Sequence, residues 1–200
     1  MENLNGNDLK ILDELIEKAG INVRDFKRYR FNDLKKMRNL FIAIFKKVDK
    51  TFSEYKHLPE YEEVIEWLND NKGKGLLLTG NVGRGKSVIL NGIIPVIFNG
   101  VHKKILKPLS ARNLDDVKKN KLWAYCIDDI GTDEIINDYG SKIDPVEFLI
   151  SDAEDHAKLL IMSSNLTRDM IKERYGLRTL DRINRLCKVI PFTGKSMRKL

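Results

Sequence analysis

Apolar side chains first recur at helical spacing: Leu9, Leu12, Leu15, Ile16 and Ala19 form one stripe and predict a short helix over 8–19, capped by Asn7 and stopped by Gly20. A second stripe, Leu34, Met37, Phe41, Ile44 and Val48, steps by three and four from a start near Asn32, while Lys35, Lys36, Lys46 and Lys47 fall off it. It is too short for an independent coiled coil and is expected to pack on the main body, with a partner-binding helix as the sharper reading. Pro59 opens a third helix, its early acidic residues Glu60, Glu62 and Glu63 placed near the positive end of the dipole, and 71–75 closes it. Beyond it the pattern changes to short, nearly continuous apolar runs at 75–79, 104–106, 122–128, 158–163 and 188–192, separated by helix-like segments. Alternation of this kind predicts an α/β fold with a five-stranded parallel sheet, right-handed crossovers and flanking helices. Pro95 falls in the helix after the first strand, where it should kink or end it.

At 200 residues and 42% hydrophobic content, one core with a small helical appendage is expected rather than two full domains. The two cysteines, Cys126 and Cys187, have no metal-ligand spacing and suit a reducing compartment. The amino terminus is polar, and the most apolar stretch, 93–98, is short and broken by Pro95, so neither secretion nor membrane insertion is expected and a cytoplasmic location is.

A net charge of +7 favours polyanionic partners. It is concentrated at Arg24, Lys27, Arg28, Arg30, Lys35, Lys36 and Arg38, against Asp25 and Asp33, with Phe26, Tyr29 and Phe31 interleaved. Two readings follow: a solvated helix face whose aromatics pack inward, or a surface that contacts nucleic acid, with single-stranded DNA as the candidate ligand.

The chemistry centres on Gly80-Asn81-Val82-Gly83-Arg84-Gly85-Lys86-Ser87, a G-x-x-x-x-G-K-[ST] loop between Leu76-Leu77-Leu78 and Val88-Ile89-Leu90. Such a loop wraps its amide N–H groups around phosphate oxygens, an approach that side chains at the glycine positions would obstruct. Residues 80–88 are therefore the nucleotide-binding candidates, with Lys86 directed at the β- and γ-phosphates and Ser87 at Mg²⁺. The run Leu122-Trp123-Ala124-Tyr125-Cys126-Ile127 ends in Asp128 and Asp129, as a doubly buried strand does when its carboxyl end opens on a ligand crevice. Asp128 would orient Mg²⁺ and Asp129 would polarise the attacking water. Asn165, at the tip of the run 159–162, is placed to reach a γ-phosphate or its water without adding charge. Arg178 and Arg182, four apart, share a helical face from which one could reach a phosphate.

In order, the loop, Ile127-Asp128-Asp129-Ile130-Gly131, Ser163-Ser164-Asn165-Leu166-Thr167, the Arg178–Arg182 segment and Phe192-Thr193-Gly194-Lys195-Ser196-Met197-Arg198 resemble the AAA+ ATPases of the DnaC and IstB type, which are helicase loaders and transposition helpers. The resemblance spans roughly 60–198. It implies a P-loop NTPase (AAA+) core over 59–200, with a small helical region over 1–58 for partner or nucleic-acid contact. Lys86 and Ser87 match the Walker A pair, Asp128 and Asp129 match Walker B, and Asn165 matches sensor 1. Arg178 matches the arginine finger that acts on a neighbouring subunit, and Arg198 matches sensor 2. The implied cofactors are ATP and Mg²⁺, and the implied activity is ATP hydrolysis coupled to self-association through the ATP site. A replicative helicase is the implied partner, with a transposase as the alternative. A small-molecule phosphoryl-transfer enzyme would use the same loop but would need an acceptor pocket and a separate lid.

Overall fold

The computed structural model describes residues 5–20, 24–50, 55–114, 122–138 and 141–197. In chain order the elements are α1 (Gly6–Lys18), α2 (Leu34–Val48), α3 (Pro59–Asn69), β1 (Gly75–Gly80), α4 (Lys86–Val88), a π-helical turn (Ile89–Ile93), α5 (Ile94–His102), β2 (Pro108–Ser110), β3 (Ala124–Ile130), β4 (Ile136–Asp138), β5 (Ser141–Ile143), α6 (Pro145–Asp155), β6 (Leu159–Ser164), α7 (Arg168–Leu186) and β7 (Cys187–Phe192). Five strands form a wholly parallel sheet in the order β2-β3-β6-β1-β7, and β4 and β5 form a separate antiparallel pair.

Alternation along each strand divides the core. Leu76, Leu78, Cys126, Ile161 and Ile190 face one layer, built from α2, α3 and the α4–α5 helix through Met37, Phe41, Tyr61, Ile89 and Phe98. Leu77, Tyr125, Ile127, Leu160 and Met162 face the other, where α6 and α7 contribute Val146, Leu149, Ile150, Ile171 and Ile183. Both faces of the sheet are thus covered, which is why its strands read as continuous apolar runs. Met37 and Phe41 retain no exposed surface, so the stripe of α2 is part of this core; truncating Phe41 to Ala would cost ~3–5 kcal/mol.

The sequence-based boundaries shift in four places. The strand expected over 104–106 forms instead at Pro108–Ser110, because Ile105 stays exposed and gives its carbonyl to the Trp123 indole at 2.8 Å, and the edge ladder begins only where Pro108 meets Cys126. A proline is tolerated at the start of an edge strand. Pro95 does not end its helix: the π turn widens the ladder immediately before it, leaving Pro95 in the first turn of α5, where its missing N–H is not needed. Asn5, not Asn7, caps α1, through a capping box with Asp8; the helix buries no residue, and Leu9, Ile11, Leu12 and Leu15 remain exposed. Finally, 24–33 is not helical; it is irregular, with one isolated antiparallel bridge from Arg30 to Asp70 and a left-handed Asn32 at φ +62°, and helix begins only after the Asp33 cap. The aromatics of this segment pack inward: Tyr29 is buried edge-on to Phe98, and Phe26 and Phe31 lie against the two core layers. Arg24, Arg28 and Arg38 are ion-paired to Glu154, Asp70 and Glu62. No helix among the described residues is long and apolar enough to cross a membrane.

Candidate nucleotide-binding site

The phosphate-binding sequence occupies the turn from the end of β1 into α4, at the carboxyl edge of the sheet. Gly85 precedes the first helical residue with φ +90°, and a Cβ there would lie 2.6 Å from the Tyr61 hydroxyl, so only glycine passes. That hydroxyl donates to the Arg84 carbonyl at 2.9 Å and clamps the loop to α3.

Lys86 is buried, and its ammonium donates to the carbonyls of Gly80 and Asn81, each at 2.8 Å, and to Asn165 Oδ1 at 2.9 Å. It forms no ion pair among the described residues. Burial pushes its pKa down, and the Asp129 and Asp128 carboxylates oppose that shift only in part. A buried cation held by three neutral acceptors suits an incoming polyanion, since phosphate oxygens can replace the weaker acceptors one for one.

The carboxylates are set by an irregularity at the end of β3. Its pairing with β6 slips between Ile127 and Ile130, and Asp129 takes φ +64°, a conformation that non-glycine residues adopt at a cost. Ser163 on β6 holds this bulge: its hydroxyl accepts the Asp129 N–H at 2.9 Å and donates to Asp128 Oδ1. Asp128 also accepts from the Ser87 hydroxyl at 3.1 Å and from Asn91 Nδ2 at 2.7 Å. Asp129 Oδ1 accepts from Asn165 Nδ2 at 2.7 Å. The strand order makes this meeting unavoidable, because β6 lies between β1 and β3, and its tip therefore stands between the loop and the two carboxylates.

No protein-family model and no curated protein matches this sequence. Among solved structures, the chain is similar to the DnaC helicase loader, with a TM-score of 0.56 and 13% identity over 74% of this chain and 98% of that one. It is also similar to DnaI, with a TM-score of 0.52 and 16% identity over 78% of this chain and 94% of that one. The chain shares the fold of these two proteins.

Within this fold the sequence-predicted residues divide. Lys86, Ser87, Asp128, Asp129 and Asn165 are brought into one bonded group. Asn81 and Val82 are exposed on the loop, whereas the Arg84 side chain turns inward to a buried pair with Glu60, so anything it offers a nucleotide comes from its backbone. Arg178 is exposed on α7 and touches neither the loop nor the carboxylates; Arg182, its companion, is tied to Glu154 at 3.0 Å. Arg198 lies outside the described residues. The chain up to Met197 is strapped along the loop, with Met197 N donating to the Gly83 carbonyl at 2.8 Å and Asn81 Nδ2 to the Gly194 carbonyl at 2.7 Å.

Sequence reasoning missed Ser163, Asn91 and Glu60. Ser163 is two residues before Asn165 at the end of a strand and Asn91 four after Ser87 on a helix, so periodicity from a predicted residue could have found both. Glu60 has no such signal.

Proposed function

We propose that the chain is an Mg²⁺-dependent ATP-binding and ATP-hydrolysing switch of the helicase-loader type, acting on a replicative helicase in DNA replication. The observation that carries this reading is Asn165 joining Lys86 to Asp129, because one neutral side chain then senses both the phosphate-binding cation and the carboxylate that would orient water. Residues 80–88 would hold the triphosphate and Ser87 with Asp128 would hold the metal, whose bound form supplies charge neutralisation on the phosphate oxygens. Asp129 accepts a hydrogen bond from the attacking water, and Asn165 fixes its direction. Arg178 of one copy, exposed and without a salt bridge among the described residues, completes the site of a second copy. Only contacts to the terminal phosphate differ between the ATP and ADP states, so hydrolysis changes the assembly and releases the partner. The exposed apolar side chains of α1 and the exposed cations Lys27, Arg30, Lys35 and Lys36, which form no salt bridge among the described residues, support partner and single-stranded DNA contact by region 1–58. Arg198 would act as a second sensor.

The test combines binding with turnover. Lys86→Ala abolishes Mg·ATP binding measured by titration calorimetry. Arg178→Ala spares binding and removes the rise in hydrolysis per protomer with protein concentration. Normal turnover by Arg178→Ala at every concentration would overturn the in-trans role, and wild-type protein indifferent to Mg·ATP would overturn the whole reading. Co-purification with a replicative helicase, and not with a transposase, identifies the partner.

A further inference from the structure

Asp133 is the least expected charged residue in the fold. Its side chain has no exposed surface, yet it stands just beyond the two site carboxylates and gathers donors from two directions. From the β3 side, Gly131 N–H donates to its Oδ1 at 2.9 Å, while Thr132 Oγ1 donates to the Asp129 carbonyl at 2.8 Å and closes the turn between them. From α7, the Tyr175 hydroxyl donates to the same Oδ1, and Arg174 Nη2 donates to Oδ2 at 3.0 Å and to the Asp133 carbonyl at 3.1 Å. Arg174 also reaches Asp144 at 2.9 Å, and Asp144 caps α6 by accepting from the amides of Val146 and Glu147.

The residue after Tyr175 is the break in α7. Gly176 has φ +80° and ψ +165°, so Arg174 and Tyr175 end one helical stretch and Arg178 lies in the first turn of the next. A Cβ at Gly176 would meet nothing within 4 Å; the glycine is needed for the backbone angle alone, as at a joint. An unbroken run of polar contacts therefore leads from Lys86 through Asn165 and Asp129, along the 129–133 turn, to Asp133, Tyr175 and the joint that aims Arg178. Lys86, at the head of the run, has all three donors engaged, so bonding a phosphate requires it to release the Gly80 carbonyl, the Asn81 carbonyl or Asn165 Oδ1, and release of the last is the change that enters the run. Burial and the adjoining Asp133 carboxylate push the Tyr175 hydroxyl well above its ordinary value, which keeps it a donor.

We propose that Asp133 is a positioning residue that ties the occupancy of the nucleotide loop to the setting of Arg178 in the same chain, so that a subunit presents its arginine to a neighbour according to the nucleotide it holds itself. This rests on the proposed function above. A merely structural Asp133 would anchor α7 equally in both nucleotide states; a positioning Asp133 transmits the difference between them.

Hydrogen exchange of backbone amides distinguishes the two, measured with and without Mg²⁺ and a non-hydrolysable ATP analogue, at a concentration where sedimentation shows monomer in both conditions. In the wild type, the analogue changes exchange both at 80–88 and at 176–182. In Asp133→Asn it changes only the first, with analogue affinity within about twofold of wild type, and concentration-dependent hydrolysis falls ~10-fold, the size of an ordinary coupling energy. Tyr175→Phe, which removes a single O–H donor, shows the same separation to a smaller degree and serves if Asp133→Asn does not fold. The proposal is overturned if 176–182 responds to the analogue in the variants as in the wild type, or if the wild-type segment does not respond although 80–88 does. Failure of the wild-type protein to bind the analogue at all is a different result and removes the proposed function itself.

Discussion

Glu60 accepts both Nε and Nη2 of Arg84, and this pair, 7% and 10% exposed at its side chains, fastens the phosphate loop to the first turn of α3. Arg84 Nη1 adds a bond to the Lys195 carbonyl at 3.2 Å, so the same guanidinium joins α3, the loop and the carboxyl-terminal strap. Removing one partner of a buried pair strands the other charge. Glu60→Ala is expected to lower unfolding free energy by ~3–5 kcal/mol in urea titrations, while Glu60→Leu with Arg84→Met recovers most of it. A loss no larger in Glu60→Ala than in the double variant would show that the pair is not buried in solution.

Asn165 separates binding from chemistry. Lys86 keeps two carbonyl acceptors without it, so Asn165→Ala is expected to leave the Mg·ATP dissociation constant within a few-fold. Hydrolysis falls ~10²-fold, as when one donor aimed at a transition state is removed, because Asp129 loses the amide that sets its rotamer. Equal effects on affinity and turnover would place Asn165 on the ground-state phosphate instead.

Packing of α2 on the π turn is measurable through two glycines of one continuous helix. A Cβ at Gly92 would fall 2.5 Å from Val48 Cγ1, whereas one at Gly100 meets nothing within 4 Å. Gly92→Ala should therefore destabilise by ~1–3 kcal/mol, with partial relief from Val48→Ala. Gly100→Ala should stabilise by ~0.5–1 kcal/mol, since it costs no contact and removes unfolded-chain freedom. Both are read from urea midpoints at constant slope.

Two surface carboxylates predict the acid limb of stability. The Arg28 guanidinium holds Asp70 well below the usual carboxylate range, helped by the Lys72 N–H, and the Arg38 guanidinium lowers Glu62. A carboxylate whose folded pKa is depressed contributes stability above its unfolded value, near ~4, and loses it as pH falls through the folded value. The variant with Asp70→Asn and Glu62→Gln is thus expected to be less stable than wild type at pH 7, with the gap closing as the solution is acidified below pH ~4. The arginines are about half exposed, so salt should shrink the gap.

What could be read from the chain alone was what short-range chemistry writes into consecutive residues. A phosphate loop between a strand and a helix, two carboxylates ending a continuous apolar run, and an amide at the tip of another each announce themselves within about ten positions, and the alternation of elements implies the parallel sheet. The edge strand is displaced because one exposed ladder imposes little pattern, and the non-helical course of 24–33 is not legible because aromatic and basic residues at mixed spacing also suit a helix. Strand order belonged to the tertiary structure: that β6 lies between β1 and β3 is what carries Asn165 to both Lys86 and Asp129. So did the pairs Glu60–Arg84 and Asp133–Arg174, whose members are distant in sequence and of ordinary composition. A buried charge is recognisable only by the partner that neutralises it, and that partner is chosen by the packing of whole elements rather than by neighbours along the chain.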